Sequence, residues 1–102
     1  MILYNITFSL DERIVDAWLT YLKEEYIPEA MKRSSFESYK FLKLLSSQEE
    51  IGTTYCCQFM ASELSDVHQF QLQHAEALDG AMLKRFPNQC FLFSTILEYL
   101  PE

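Results

Sequence analysis

Ile2, Tyr4, Ile6 and Phe8 alternate with Leu3, Asn5, Thr7 and Ser9 along the first residues of the chain. A period of two sends successive side chains to opposite faces, so the pattern predicts a strand over 2–9 with one strongly apolar side. Asp11 follows as an N-cap whose carboxylate can accept from free amides of a first helical turn, and Glu12 adds negative charge where the helix dipole favours it. From there the period lengthens. Ile14, Val15, Trp18, Leu19, Leu22 and Tyr26 fall on one stripe at 100° per residue, with Asp16, Thr20, Lys23 and Glu24 opposite, which predicts an amphipathic helix. Pro28 lacks an amide hydrogen and disfavours helical geometry at Ile27, so a kink or restart is expected there and an end near Lys32.

The segment from Phe36 to Leu45 reads as a second strand, Ser46 to Glu50 as a polar loop, Gly52 as a turn residue and Thr53 to Met60 as the hairpin partner. Ser62 can cap a second helix carrying Leu64, Val67, Phe70, Leu78, Ala81 and Met82 on one stripe, interrupted near Gly80 and closed by Phe86-Pro87-Asn88. Gln89 to Tyr99 reads as the last strand. The order β-α-β-β-α-β predicts an α+β, ferredoxin-like domain over 1–102, and right-handed crossovers place both helices on one face of a four-stranded antiparallel sheet.

A sheet covered on one face should alternate apolar and polar residues, yet two strands are apolar on both sides. Phe91, Phe93, Leu97 and Tyr99 oppose Cys90, Leu92 and Ile96 in the last strand, and Phe36, Leu42 and Leu44 oppose Tyr39, Phe41 and Leu45 in the second. No residues remain to cover the second face. A second copy of the sheet is the economical cover, which predicts a homodimer joined through its sheets.

Composition narrows the partners. With 49% of its 102 residues apolar and 15% aromatic, the chain can build one core. Eight Lys and Arg against fifteen Asp and Glu give a formal charge of −7, which argues against nucleic acid and against anionic membranes. No run reaches the roughly 18 apolar residues that span a bilayer, and the N-terminus lacks the basic start of a signal peptide, so a cytoplasmic location is expected. Cys56, Cys57 and Cys90 form no C-x-x-C pair and read as small buried hydrophobes. Two glycines in total leave no phosphate-cradling loop, and no Ser stands in a nucleophile context.

The chain resembles a family of short bacterial proteins of unknown function within the dimeric α/β-barrel group of ferredoxin-like folds. The likeness rests on Ile2-Leu3-Tyr4-Asn5, Trp18, Ile27-Pro28, Phe36, Leu42 to Leu45, Gln58-Phe59, His74 and Thr95-Ile96-Leu97-Glu98. Similar sequences often carry His just before the Ile-Pro pair, where this chain has Tyr26. The resemblance implies a dimer whose members range from cofactor-free monooxygenases, isomerases and haem-degrading enzymes to proteins without known catalysis, so it selects no activity.

Few residues are left to carry chemistry. On an unbroken second helix His74 points inward and His68 toward solvent. An inward imidazole can serve a pocket as a hydrogen-bond donor or proton-transfer group, or can simply satisfy a backbone carbonyl. Asn5 and Thr7 are polar positions of an apolar strand; periodicity leaves their face open, but if it looks into the dimer, Asn5 lies near Gln58 and Tyr39 and the three could line a site. The two histidines face differently and no carboxylate matches them, so no metal and no other cofactor is expected. Trp18 lies within its helix stripe and reads as core. Three functions stay open: a dimeric binding or accessory protein with a pocket for a small apolar ligand contacted by His74 and Asn5, a cofactor-independent monooxygenase- or isomerase-like enzyme using His74, and a structural interaction module.

Overall fold

The computed structural model describes residues 1–46 and 52–101. β1 (Ile2–Leu10) leads into a helical segment made of a 3-10 turn (Glu12–Ile14), α1 (Val15–Tyr21), a π turn (Leu22–Tyr26) and α2 (Ile27–Arg33). β2 (Ser38–Lys43) and β3 (Thr53–Ala61) follow, then α3 (Leu64–Phe70), a second π turn (Gln71–Ala75), α4 (Glu76–Arg85) and β4 (Cys90–Glu98). The strands lie in the order β2-β3-β1-β4 with every neighbouring pair antiparallel, the α+β, ferredoxin-like arrangement the sequence predicts. The expected loop over Ser46–Glu50 lies, except for Ser46, outside the described residues.

Both helical segments pack on the sheet face carrying Tyr4, Ile6, Phe8 and Leu10. Phe8 meets Trp18 edge-on at 5.0 Å and Tyr4 meets Phe70 at 5.9 Å. Trp18 is fully buried, its indole N–H pointing at the Met82 sulfur 3.3 Å away, in the core role expected of it. Phe36 corrects the reading of the second strand: it precedes β2 and turns under the helices, 5.0 Å from both Phe59 and Phe70, instead of sharing a face with Leu42.

The helices differ from their sequence patterns in ways that have local causes. Asp11 caps the first segment as expected, accepting from the Arg13 amide at 2.9 Å, and the Arg13 guanidinium holds its carboxyl down at about 2. The helix restarts at Pro28 as expected, α2 beginning at Ile27 with the proline in its first turn. The π turn just before it widens the helix where the proline ring would crowd a carbonyl, and helix continues to Arg33. Ser62 does not cap the second segment. Its hydroxyl donates to Glu37, while Glu63 takes the N-cap position and its amide donates to Asp66 Oδ2 at 3.3 Å. Nor does Gly80 interrupt anything, because α4 runs through it.

Gly52 and Gly80 are opposite cases. Gly52 has φ +91 and a Cβ there would sit 2.4 Å from the Leu10 carbonyl oxygen, so the turn into β3 needs glycine. At Gly80 an added Cβ meets nothing within 4 Å. Gly80→Ala should therefore raise stability by about 0.5–1 kcal/mol in urea unfolding, and Gly52→Ala should lower it by at least about 1 kcal/mol.

Candidate functional site

Strand register decides which predicted residues can meet. Lys40, Gln58, Asn5 and Thr95 stand opposite one another across the four strands and form a single polar row on the sheet face away from the helices. The Asn5 amide donates to Thr95 Oγ1 at 3.2 Å and to Thr7 Oγ1 at 3.3 Å, while its own oxygen is buried without a partner among the described residues. Rows on either side are largely apolar, with Met60, Leu3 and Leu97 in one and Leu42, Cys56 and Phe93 in the other. Phe93 is 58% and Phe91 67% exposed. Lys40 is the one charged strand residue on this face among the described residues.

Tyr39 does not belong to that group. It pairs with Phe59, one residue out of phase with Gln58, so it lies on the helix side of the sheet with its ring 6.3 Å from Phe59. A shift of one residue exchanges faces, and Lys40 takes the place expected of Tyr39. Cys56 is also displaced from its expected role: Cys57 is buried toward the helices, so its neighbour lies half-exposed on the open face, with its sulfur 3.7 Å from Thr7 Oγ1.

His74 is separated from Asn5 by the sheet. The π turn at Gln71–Ala75 inserts one residue into the helical period, so Ala75 takes the inward position and His74 rotates to the flank. There it lies 6.0 Å from the Phe70 ring and lines a polar groove of about 250 Å³ with Lys32, Arg33, Ser34, Asp66 and Gln73. His74 and Asn5 cannot contact one molecule in one chain. Among the described residues, no three His, Cys, Asp or Glu side chains converge to hold a metal ion.

The polar pair at the edge of the core joins Tyr26 to Asp79, a carboxylate the sequence reading passed over. Tyr26 is 1% exposed and its hydroxyl donates to Asp79 Oδ1 at 2.6 Å. Tyr4, 2% exposed, lies close enough for the Asp79 charge to act on its phenol, and Ser94 and Gln71 face the same hydroxyl. Burial raises the Asp79 carboxyl above its ordinary 3.8, partly opposed by the Tyr26 hydrogen bond. Burial and the Asp79 charge push both phenols up, so each stays a neutral donor. No cation among the described residues pairs with this carboxylate. A sequence signal existed: Asp79 adjoins Leu78 and stands at i+4 from Ala75, on the edge of the buried stripe, where a solvated carboxylate has no reason to be.

A carboxyl whose folded pKa is raised costs stability once it ionises in the folded state. That cost is absent below the unfolded value of 3.8, grows as pH rises through the folded value and is complete above it. Asp79→Asn keeps an acceptor for Tyr26 and removes the charge. The variant should unfold at higher urea than wild type at pH 7, with the difference shrinking toward pH 3; a less stable variant at pH 7 would contradict the assignment.

No curated protein matches this sequence. Solved structures share its fold at low identity. A Deinococcus radiodurans protein provisionally named an antibiotic biosynthesis monooxygenase has a TM-score of 0.71 at 18% identity, covering 100% of this chain and 95% of that one. A dimeric ferredoxin-like protein from an uncultured marine organism has a TM-score of 0.67 at 9% identity, covering 100% and 97%. An uncharacterised NIPSNAP domain protein from Burkholderia xenovorans has a TM-score of 0.63 at 12% identity and full coverage of both chains. These likenesses support the fold and assign no chemistry. The match that covers the sequence itself is to a family model over residues 1–100, and the chain belongs to that family, the domain of unknown function DUF4286.

Proposed function

We propose that this protein is a homodimeric binding protein in which two copies cover each other's open sheet faces and each keeps a site for a small, largely apolar molecule between its helix layer and β4. The observation that carries the dimer is the uncovered face itself. Phe93, Phe91, Leu97 and Leu42 are exposed on a surface whose one strand charge is Lys40, although the whole chain carries −7. Two such faces can meet with little carboxylate repulsion, and each large apolar side chain buried between them contributes about 1.5–3 kcal/mol. In that arrangement the row of Lys40, Gln58, Asn5 and Thr95 becomes interior, a polar seam in an apolar contact. The structural neighbour named a dimeric ferredoxin-like protein supports the same reading.

The ligand site is supported by the far end of β4. On the side facing the helices Cys90 is buried, but Ser94 is exposed and Ile96 is 39% exposed, so the helix layer stops short of the edge strand. Asp79, half-buried, stands at that margin. Free thiols at Cys56, Cys57 and Cys90 support a cytoplasmic setting. A second reading, a cofactor-independent enzyme, is favoured by one observation: a carboxylate of raised pKa beside two neutral phenols is a proton-transfer arrangement, with Asp79 in the role the sequence suggested for His74.

Size-exclusion chromatography with light scattering at micromolar concentration should give twice the 12.0 kDa chain mass. Phe93→Glu should give a folded monomer. A wild-type monomer in this range, or a Phe93→Glu dimer as tight as wild type, would remove the proposed interface.

A further inference from the structure

The groove beside His74 gathers positive charge on a chain that carries −7 overall. Lys32 and Arg33, which line one side, close α2, and the other side comes from α3 and the π turn after it. β1 and β3 are antiparallel and each feeds one helical segment, so the end of the first segment meets the start of the second. Basic residues at a helix C-terminus balance its dipole, and alone they would mark nothing more. Here a second wall faces them. Gln69 and Gln73 stand four apart on one helix edge, and the π turn brings His74 to the same groove instead of the inward stripe. Phe70, 2% exposed, forms the floor; its ring lies 5.0 Å from that of Phe36, just after α2, and so ties the two walls together. The space between them is about 250 Å³.

We infer that this groove binds a small dianionic oxyanion, a phosphate monoester being the simplest member of the class, between Lys32 and Arg33 on one wall and Gln69, Gln73 and His74 on the other. The donors are in place. Arg33 Nε donates to Glu29 Oε2 at 2.9 Å, which fixes the guanidinium, and both Nη groups carry further N–H donors. Lys32 adds a second permanent cation. Ser34 Oγ accepts from the Phe36 amide at 3.1 Å and keeps its own hydrogen to donate. Asp66, the one carboxylate lining the groove among the described residues, accepts from the Glu63 amide at 3.3 Å in the helix cap, and neither cation pairs with it there. Two fixed cations among neutral donors match a dianion better than a single carboxylate. A cationic ligand would meet Lys32 and Arg33, and an apolar one would find only the Phe70 floor. The charge of the whole chain sets the size: −7 repels a long polyanion, whereas a small ester responds mainly to charges within a Debye length of about 8–10 Å. Lys32 and Arg33 are exposed, so their contacts are screened and the affinity is expected to be modest and salt-dependent.

Nitrogen-15 NMR titration of the full-length protein with methyl phosphate and with acetate tests this, at about pH 8, where a phosphate monoester is dianionic, and at ionic strength held constant with sodium chloride. Methyl phosphate should shift the amides of Ser34, Gln69, Gln73 and His74 along saturable curves and bind more tightly than acetate. Lys32→Gln and Arg33→Gln should each weaken methyl phosphate by about three- to tenfold, the loss of one partly screened charged contact. Lys84→Gln removes the same charge from α4, outside the groove, and should leave the affinity unchanged. Asp66→Asn should tighten binding, since it keeps an acceptor for the Glu63 amide and removes the nearby negative charge. Shifts that never saturate, acetate bound as tightly as methyl phosphate, or a loss in Lys84→Gln equal to that in Lys32→Gln would overturn the site.

Discussion

A sheet has two faces, and this chain supplies helices for one. That constraint organises the molecule. The helix-facing side carries Tyr4, Ile6, Phe8, Tyr55, Cys57 and Phe59, all buried under Trp18, Tyr26 and Phe70, and it makes a core that one chain can complete alone. The other side carries Leu3, Met60, Phe93 and Leu97 around a polar row and finds no cover among the described residues. Hydrophobic burial is proportional to area removed from water, so a face of this kind is driven to pair. The polar row then acts through cost: an amide without its hydrogen bonds in an apolar contact is penalised, so only packings that leave Asn5 and Gln58 satisfied are good ones.

Within the closed half, the Tyr26–Asp79 hydrogen bond is the feature that departs from a plain apolar core. It ties the first helical segment to the second across 53 residues of sequence. Both segments contain a π turn near this contact, one running to Tyr26 itself and the other just before α4. Each inserted residue rephases the helix beyond it, so the register that brings a phenol and a carboxylate together is built into the backbone. A charge kept at the margin with no cation among the described residues costs stability, and low dielectric strengthens whatever hydrogen bond it does make.

How much of this could be read in the chain depends on which periods persist. The period of two in β1 and β4 has no interruption, and both strands and the two-sided apolar pattern of the last were legible in the sequence, although periodicity alone left open which side of β1 the helices cover. The helical period does not persist, because a π turn leaves no residue-type signature; a constant 100° per residue carries His74 inward when Ala75 holds that place. Tyr39 was misplaced for a related reason. The alternation in β2 is weak, with apolar residues on both sides, so hydrophobicity could not tell Tyr39 from Lys40 as the neighbour of Gln58. Asp79 escaped notice because a carboxylate beside a helix stripe usually lies in water, and only the packing of Tyr26 against it gives it meaning.

Cys56 offers a direct view of the open face. Burial pushes the Cys57 and Cys90 thiols up to about 12 and about 11, leaving both slow toward thiol reagents, whereas Cys56 lies half-exposed between Thr7 and Leu42. The rate at which a thiol-specific reagent modifies Cys56 in native protein, followed over a dilution series, measures whether that face is covered in solution. Sheet-to-sheet pairing predicts slow modification at high concentration and a rate that climbs to a plateau on dilution, as copies separate. Modification of Cys56 at one rapid rate at every concentration would contradict it.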